Sequence, residues 1–246
     1  MTRLAHVART GRIAALSLAA LLLLAACTAQ PKPPPQPTAG PVTTAQAERL
    51  AAIRYKDYNR GVIPVKLALH VNDQDVAIDG DVDMRKQIGY ATFQATGSTS
   101  SAGLIQWTVK AVALLPNGAG STANPPPPNG WTTRDLDPSA SRLDAALEIV
   151  LNLSADRPEN PLLLRQNGAA YLRTETLRGH RVDVFRGPTE ASTSSASGSP
   201  SRLTYFVDRS AILQRVVVDL AGGEGPLTID LLDGSGKNIS LIPALG

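Results

Sequence analysis

From residue 65 onward, apolar side chains fall on every second position. Val65, Leu67, Leu69 and Val71 alternate with Lys66, Ala68, His70 and Asn72; Val76, Ile78, Val82 and Met84 alternate with Ala77, Asp79, Asp81 and Asp83. A period of two marks strands with one buried face, and Asn72-Asp73 supplies the turn between them. Ile88 to Thr96 predicts a third strand. Leu104 to Leu115 predicts a long fourth, with Ile105, Trp107, Val109, Ala111, Ala113 and Leu115 on one side. Strands are predicted again after Pro161: Leu162–Arg165 and Ala169–Thr174 around the turn Asn167-Gly168, then His180–Phe185, Arg202–Asp208, Gln214–Leu220 and Leu227–Leu232. Consecutive strands with short turns make an antiparallel meander.

Two stretches change period. Thr43-Thr44-Ala45-Gln46 fits a capping box, after which Ala47, Leu50 and Ala51 share a face with Ile53 beside them. Arg54 and Lys56 suit the negative end of that helix, and Gly61 with Pro64 ends it. A second helix is expected from Asp137 as N-cap and Pro138 as first helical residue, with Leu143, Ala146, Leu147, Val150 and Leu151 as its apolar stripe. The run Asn124-Pro125-Pro126-Pro127-Pro128-Asn129-Gly130 breaks the sheet before it. Pro188 to Ser201, rich in Ser, Thr, Ala and Gly, reads as a long hairpin loop.

The N-terminal residues follow a different logic. Arg3, Arg9 and Arg12 precede an apolar run from Ile13 to Ala25, and small residues close it. This is the layout of an export signal. Thirteen helical residues reach roughly 20 Å, short of the roughly 30 Å hydrocarbon core. Leu24-Ala25-Ala26-Cys27 resembles the lipobox of bacterial lipoproteins, and Cys27 is the only cysteine in 246 residues. The resemblance implies that Cys27 is lipidated after cleavage, with residues 1–26 as signal peptide. The six prolines between Thr28 and Pro41 make residues 27–42 an extended tether. Residues 43–246 are then one domain, held at the extracytoplasmic face of the cell membrane by the lipid on Cys27.

Cleavage also changes the charge. Removing Arg3, Arg9 and Arg12 from 24 basic residues leaves 21, against 21 acidic ones. A formally neutral chain carries no electrostatic footprint for nucleic acid. No cysteine remains to form an internal disulfide, so stability rests on packing.

Candidate chemistry is sparse. His70 falls on the polar side of its strand and His180 follows a turn glycine; no HExxH or CxxC accompanies them, so no metal site is expected. Asp79, Asp81 and Asp83 have the spacing of a calcium loop, but Met84 stands where its glycine belongs and Tyr90 where its glutamate belongs. They read as a solvated acidic stripe. Gly234-Ser235-Gly236-Lys237 lacks P-loop spacing, and no serine sits in a G-x-S-x-G elbow. Neither an enzymatic activity nor a cofactor is expected.

Three segments carry a family resemblance: Gly179-His180-Arg181-Val182-Asp183-Val184-Phe185, Leu203-Thr204-Tyr205-Phe206-Val207-Asp208, and Leu213-Gln214-Arg215-Val216-Val217-Val218-Asp219-Leu220. In pattern and order the chain resembles the LolA-like lipoprotein carriers and their LppX/LprG relatives. The resemblance implies an α+β fold, a strongly curved antiparallel sheet forming an incomplete barrel covered by helices, and an apolar cavity for acyl chains. Leu67, Leu69, Trp107, Val109, Leu147, Val150 and Val218 are the candidate lining residues. The expected function is to bind or carry a lipid or a lipoprotein acyl chain. Two readings stand beside it: a regulatory module gripping a membrane partner protein through the tetraproline loop or the Pro188–Ser201 loop, and a hydrolase of envelope polymers with convergent carboxylates or an activated serine.

Overall fold

A computed structural model describes residues 39–97, 100–118, 120, 122–189, 202–220 and 224–246. The signal peptide, Cys27, the tether up to residue 38 and loop residues 190–201 lie outside them.

The chain begins its described course with a short strand, β1 (Gly40–Pro41), and a helix, α1 (Thr44–Arg60). A meander follows: β2 (Val62–Val71), β3 (Gln74–Asp83), β4 (Ile88–Gly97), β5 (Ser101–Thr108), β6 (Ala111–Pro116) and β7 (Thr132–Asp135). Two helices, α2 (Arg142–Leu151) and α3 (Pro161–Gln166), separate it from a second meander. That one comprises β8 (Ala170–Leu177), β9 (His180–Arg186), β10 (Leu203–Asp208), β11 (Leu213–Val218) and β12 (Leu227–Leu231). A single turn of 3₁₀ helix closes the chain at Pro243–Leu245.

The two meanders form one twelve-stranded antiparallel sheet, in the order β1-β8-β9-β10-β11-β12-β2-β3-β4-β5-β6-β7. They meet where β12 pairs with β2, setting Ile229 opposite Leu67. Among the described residues β1 and β7 have no strand on their outer sides, so the barrel is incomplete, as the family resemblance implies. One face of the sheet and the inner sides of the helices share a continuous apolar core that includes Leu50, Leu67, Trp107, Leu147, Phe185 and Val216. The opposite face carries two small clusters, one around Ile88, Tyr90, Leu104 and Ile239, the other around Val182, Val184 and Phe206.

Helix α1 follows its sequence signals closely. Thr43 caps it, accepting from the Gln46 backbone N–H at 3.3 Å, while Gln46 Oε1 accepts from the Thr43 N–H at 2.9 Å. Gly61, at φ 76°, ends it. The β2–β3 turn also forms as read, with Asn72 and Asp73 at φ 51° and 58°. Both residue types tolerate the left-handed region that a two-residue hairpin demands.

Four local expectations are corrected. The long fourth strand is two strands, because the chain reverses at Val109-Lys110 and pairs Trp107 with Val112. The Thr108 hydroxyl closes that turn by accepting from the Lys110 and Ala111 N–H groups, both at 3.2 Å. Pro138 begins a turn rather than a helix: Asp137 accepts from the Ser139 and Ala140 N–H groups, and α2 starts later, capped by Ser141. Residues 161–166 are helical, with Asn160 as N-cap and Pro161 in the first turn, where a missing N–H costs nothing. Gly40 and Pro41, assigned to the tether, pair with Tyr171 and Ala170, and Val42 is buried in the core.

Candidate functional site

Six of the seven candidate lining residues come together. Leu67 and Leu69 on β2, Trp107 on β5, Leu147 and Val150 on α2, and Val218 on β11 all belong to the main core and are 0–4% exposed. At that exposure they pack against neighbouring side chains, and of the six Leu69 also borders a cleft on the outer side of the sheet. Val109 is the exception: at the β5–β6 turn it is 51% exposed. An alternating run cannot reveal a two-residue reversal inside it, since both strands keep the same period.

Trp107 lies flat over Gly89, its cross-strand partner. A Cβ at residue 89 would sit 2.1 Å from the indole ring, so only glycine leaves the ring its place. The indole Nε1 is buried and makes no hydrogen bond among the described residues. An unpaired buried donor costs about 1–3 kcal/mol.

Helix α2 lies over β2, and its two ends are built differently. The first turn is tied by polar groups. Asp144 is fully buried and accepts from both terminal nitrogens of Arg134 on β7, and from the Asp137 N–H at 2.8 Å. Arg142 donates to the Leu220 and Gly225 carbonyls at 3.3 and 2.8 Å, and its Nε faces Glu224 at 3.2 Å. Beyond that turn, no side chain from residues 145–151 makes a hydrogen bond among the described residues. Ala146, Leu147, Val150 and Leu151 hold this part by packing, and just past its end the buried Ser154 hydroxyl donates to the Met84 carbonyl at 2.6 Å.

Helix α1 is tied along its whole length. Arg49 pairs with Asp183 on β9 and stacks over the Phe185 ring, 5.4 Å from its centre. Arg54 pairs with Glu159 at 3.0 Å and donates to the Ser154 carbonyl. Arg60 reaches the Leu232 carbonyl at 2.6 Å and Asp57 at 3.4 Å. Asp57 is fully buried; that burial pushes its carboxyl up to about 8, against the opposing pull of Arg60. Sequence reading missed Asp57 and Asp144, whose helical spacing sets them on the apolar stripes. That placement was the available signal.

The acidic stripe does not form a solvated row. Asp79 pairs with Lys66 at 2.8 Å, on the surface. Asp81 is buried beneath residues 236–237, which raises its pKa despite Lys237 beside it. Asp83 closes the β3–β4 turn, accepting from the Arg85 and Lys86 N–H groups. His70 pairs with Asp75 at 2.9 Å and His180 with Asp233 at 2.7 Å. Among the described residues, no three His, Cys, Asp or Glu side chains converge to hold a metal. Gln106, also missed, is buried on the outer face and pins the C-terminal segment through Ser240 and Ile242, both at 2.9 Å.

Two larger clefts lie elsewhere. One, of about 460 Å³, runs over the outer face across Thr228, Ala68, Ala77 and Gln94, with His70 and Asp75 at one end and Pro226 at its side. The other, of about 690 Å³, lies between Arg54, residues 155–160 and α3, with Pro188 at its rim. Leu162 and Leu163 on α3 are 54% and 51% exposed, and Leu163 borders this second cleft.

No protein-family model matches the chain, and no curated protein matches it. Among solved structures, a domain described as an outer membrane lipoprotein-sorting protein domain, from Vibrio parahaemolyticus, is similar at 10% identity, covering 77% of this chain and 92% of that one, with a TM-score of 0.22. At that level of likeness nothing about this chain's fold or activity rests on it.

Proposed function

We propose that the domain is a membrane-anchored, extracytoplasmic binding protein that takes up an acyl chain between the sheet and α2. The anchor is the lipid on Cys27. The pocket forms on binding, lined by Leu67, Leu69, Trp107, Leu147, Val150 and Val218. One observation carries this reading: over residues 145–151 α2 covers the inner sheet with side chains that make no hydrogen bond among the described residues, while the first turn is polar and fixed. A chain can slip beneath the former as the latter serves as hinge.

Lifting that part of α2 uncovers Leu147, Val150 and Leu151, which costs about 5–9 kcal/mol at about 1.5–3 kcal/mol per side chain. A sixteen-carbon chain recovers about 0.8 kcal/mol per buried CH₂, or about 11 kcal/mol. Association costs draw on the surplus, so reversible loading is expected. The orphan Trp107 Nε1–H finds in an ester carbonyl the acceptor it lacks.

The test is to purify the compact unit Gln36–Gly246 from a bacterial host and extract it with organic solvent. Acyl lipid recovered by mass spectrometry, and displaced by a fluorescent fatty acid, supports the reading. A lipid-free protein that binds no such probe overturns it.

A second reading rests on the exposed Leu162–Leu163 pair beside the 690 Å³ cleft. It makes the domain a regulatory module for a membrane partner protein. It expects a stoichiometric partner in membrane pull-downs that is lost when both leucines become serine, with lipid loading unchanged.

A further inference from the structure

A small polar pocket of about 120 Å³ lies between α1 and the second meander, lined by Arg49, Thr174, Arg181, Asp183 and Arg209. Its three guanidinium groups come from three separate places in the fold: α1, β9 and the β10–β11 turn. The pocket's one carboxylate, Asp183, has a donor on each oxygen. Arg49 Nη2 donates to Asp183 Oδ2, and the Thr174 hydroxyl donates to Asp183 Oδ1. Thr174 is itself set by the Tyr171 hydroxyl at 2.9 Å. Arg49 therefore answers Asp183, and two positive charges remain. Among the described residues neither the Arg181 nor the Arg209 side chain makes a hydrogen bond or an ion pair.

Arg181 and Arg209 are both exposed, so water screens their mutual repulsion, and an anion between the two guanidinium groups would relieve what remains. A pocket of this volume has room for a few waters, at about 30 Å³ each, or for one tetrahedral oxyanion. Planar guanidinium forks match the edges of such an anion. The positive charge of Arg49 offsets the negative charge of the neighbouring Asp183.

We infer that this pocket is a binding site for a compact phosphate dianion, held by Arg181 and Arg209 and floored by the Arg49–Asp183 pair. The phosphate is either free or the monoester headgroup of a lipid. This inference stands apart from acyl-chain uptake under α2, which involves none of these residues.

The test is calorimetric titration of the full chain in a non-ionic detergent, with three probes: inorganic phosphate, dihexanoyl phosphatidic acid and dihexanoyl phosphatidylcholine. Saturable one-to-one binding of inorganic phosphate or of phosphatidic acid is expected, with phosphatidylcholine inert. Each of Arg181→Ala and Arg209→Ala is expected to weaken it at least about tenfold, the worth of one charge-assisted hydrogen bond. Binding of both phosphate probes supports a general oxyanion site, and binding of phosphatidic acid alone supports a headgroup site. Absence of saturable binding by either overturns the proposal. So does binding that both substitutions leave unchanged.

Discussion

Helices α1 and α2 cover the same inner sheet face with opposite construction. Helix α1 spreads its ties from Arg49 through Arg54 to Arg60, reaching β9, the segment before α3, and the end of β12. Helix α2 gathers its own side-chain ties into one turn, around Asp144 and Arg142, leaves the rest to Leu147, Val150 and Leu151, and is followed by Ser154, which bonds Met84. Apolar packing has no preferred partner and exchanges readily for another apolar surface. Spaced ion pairs and hydrogen bonds do not, because each broken one strands a charge or donor. On the proposed function, the same burial makes a fixed wall at α1 and a movable cover at α2.

The sharpest way to break that contrast is a matched pair of cavities. Leu147→Ala and Leu50→Ala should each cost about 3–4 kcal/mol in urea unfolding, since both leucines are buried. Only Leu147→Ala should quicken uptake of a fluorescent fatty acid in stopped flow. Equal kinetics in the two variants would remove the distinction between wall and cover.

Asp144→Ala tests the hinge. It strands the Arg134 guanidinium and the Asp137 N–H, but Arg134 is 43% exposed and water reaches it. The expected loss is therefore at the low end for a broken buried pair, about 3 kcal/mol. Hydrogen exchange should quicken through the whole of α2 and stay unchanged in α1.

Asp57 gives α1 a pH dependence of its own. Its carboxyl is raised from the ordinary value of 3.8 to about 8. Between those values the folded chain keeps a proton that the unfolded chain has lost, so stability falls as pH rises through the window and levels off above it. The slope is up to about 1.4 kcal/mol per pH unit. Urea midpoints from pH 5 to 8.5 should decline in the parent more steeply than in Asp57→Asn; parallel curves would place the proton elsewhere. The smallest expected effect is at the start of α1, where Thr43→Ala removes the cap and about 1 kcal/mol, read as a shift in thermal midpoint.

The two helices also differ in how well the sequence announces them. The capping box at Thr43 and Gln46 and the stop at Gly61 are local signals, and α1 obeys both. At α2 the local signal misleads: Asp137 and Pro138 look like a helix start, yet Asp137 closes a turn and Ser141 takes the cap. The segment 161–166 has the composition of a strand, but Asn160 and Pro161 start a helix there, packed against α1. The candidate site shows the same division. Six apolar positions were legible from their periods, while Val109 was misplaced by a turn that carries no glycine, proline or asparagine.

By itself the sequence determined most of the alternating strands of the two meanders, the extent of α1 and the Asn72-Asp73 turn. Each depends on neighbours within a few residues. Tertiary structure alone decided that β12 joins β2, that Asp57 and Asp144 are buried beside arginines, that Arg181 and Arg209 share a pocket, and that α2 closes tightly on the sheet. Those facts depend on residues far apart in the chain, and a period read along one segment carries no information about what will face it.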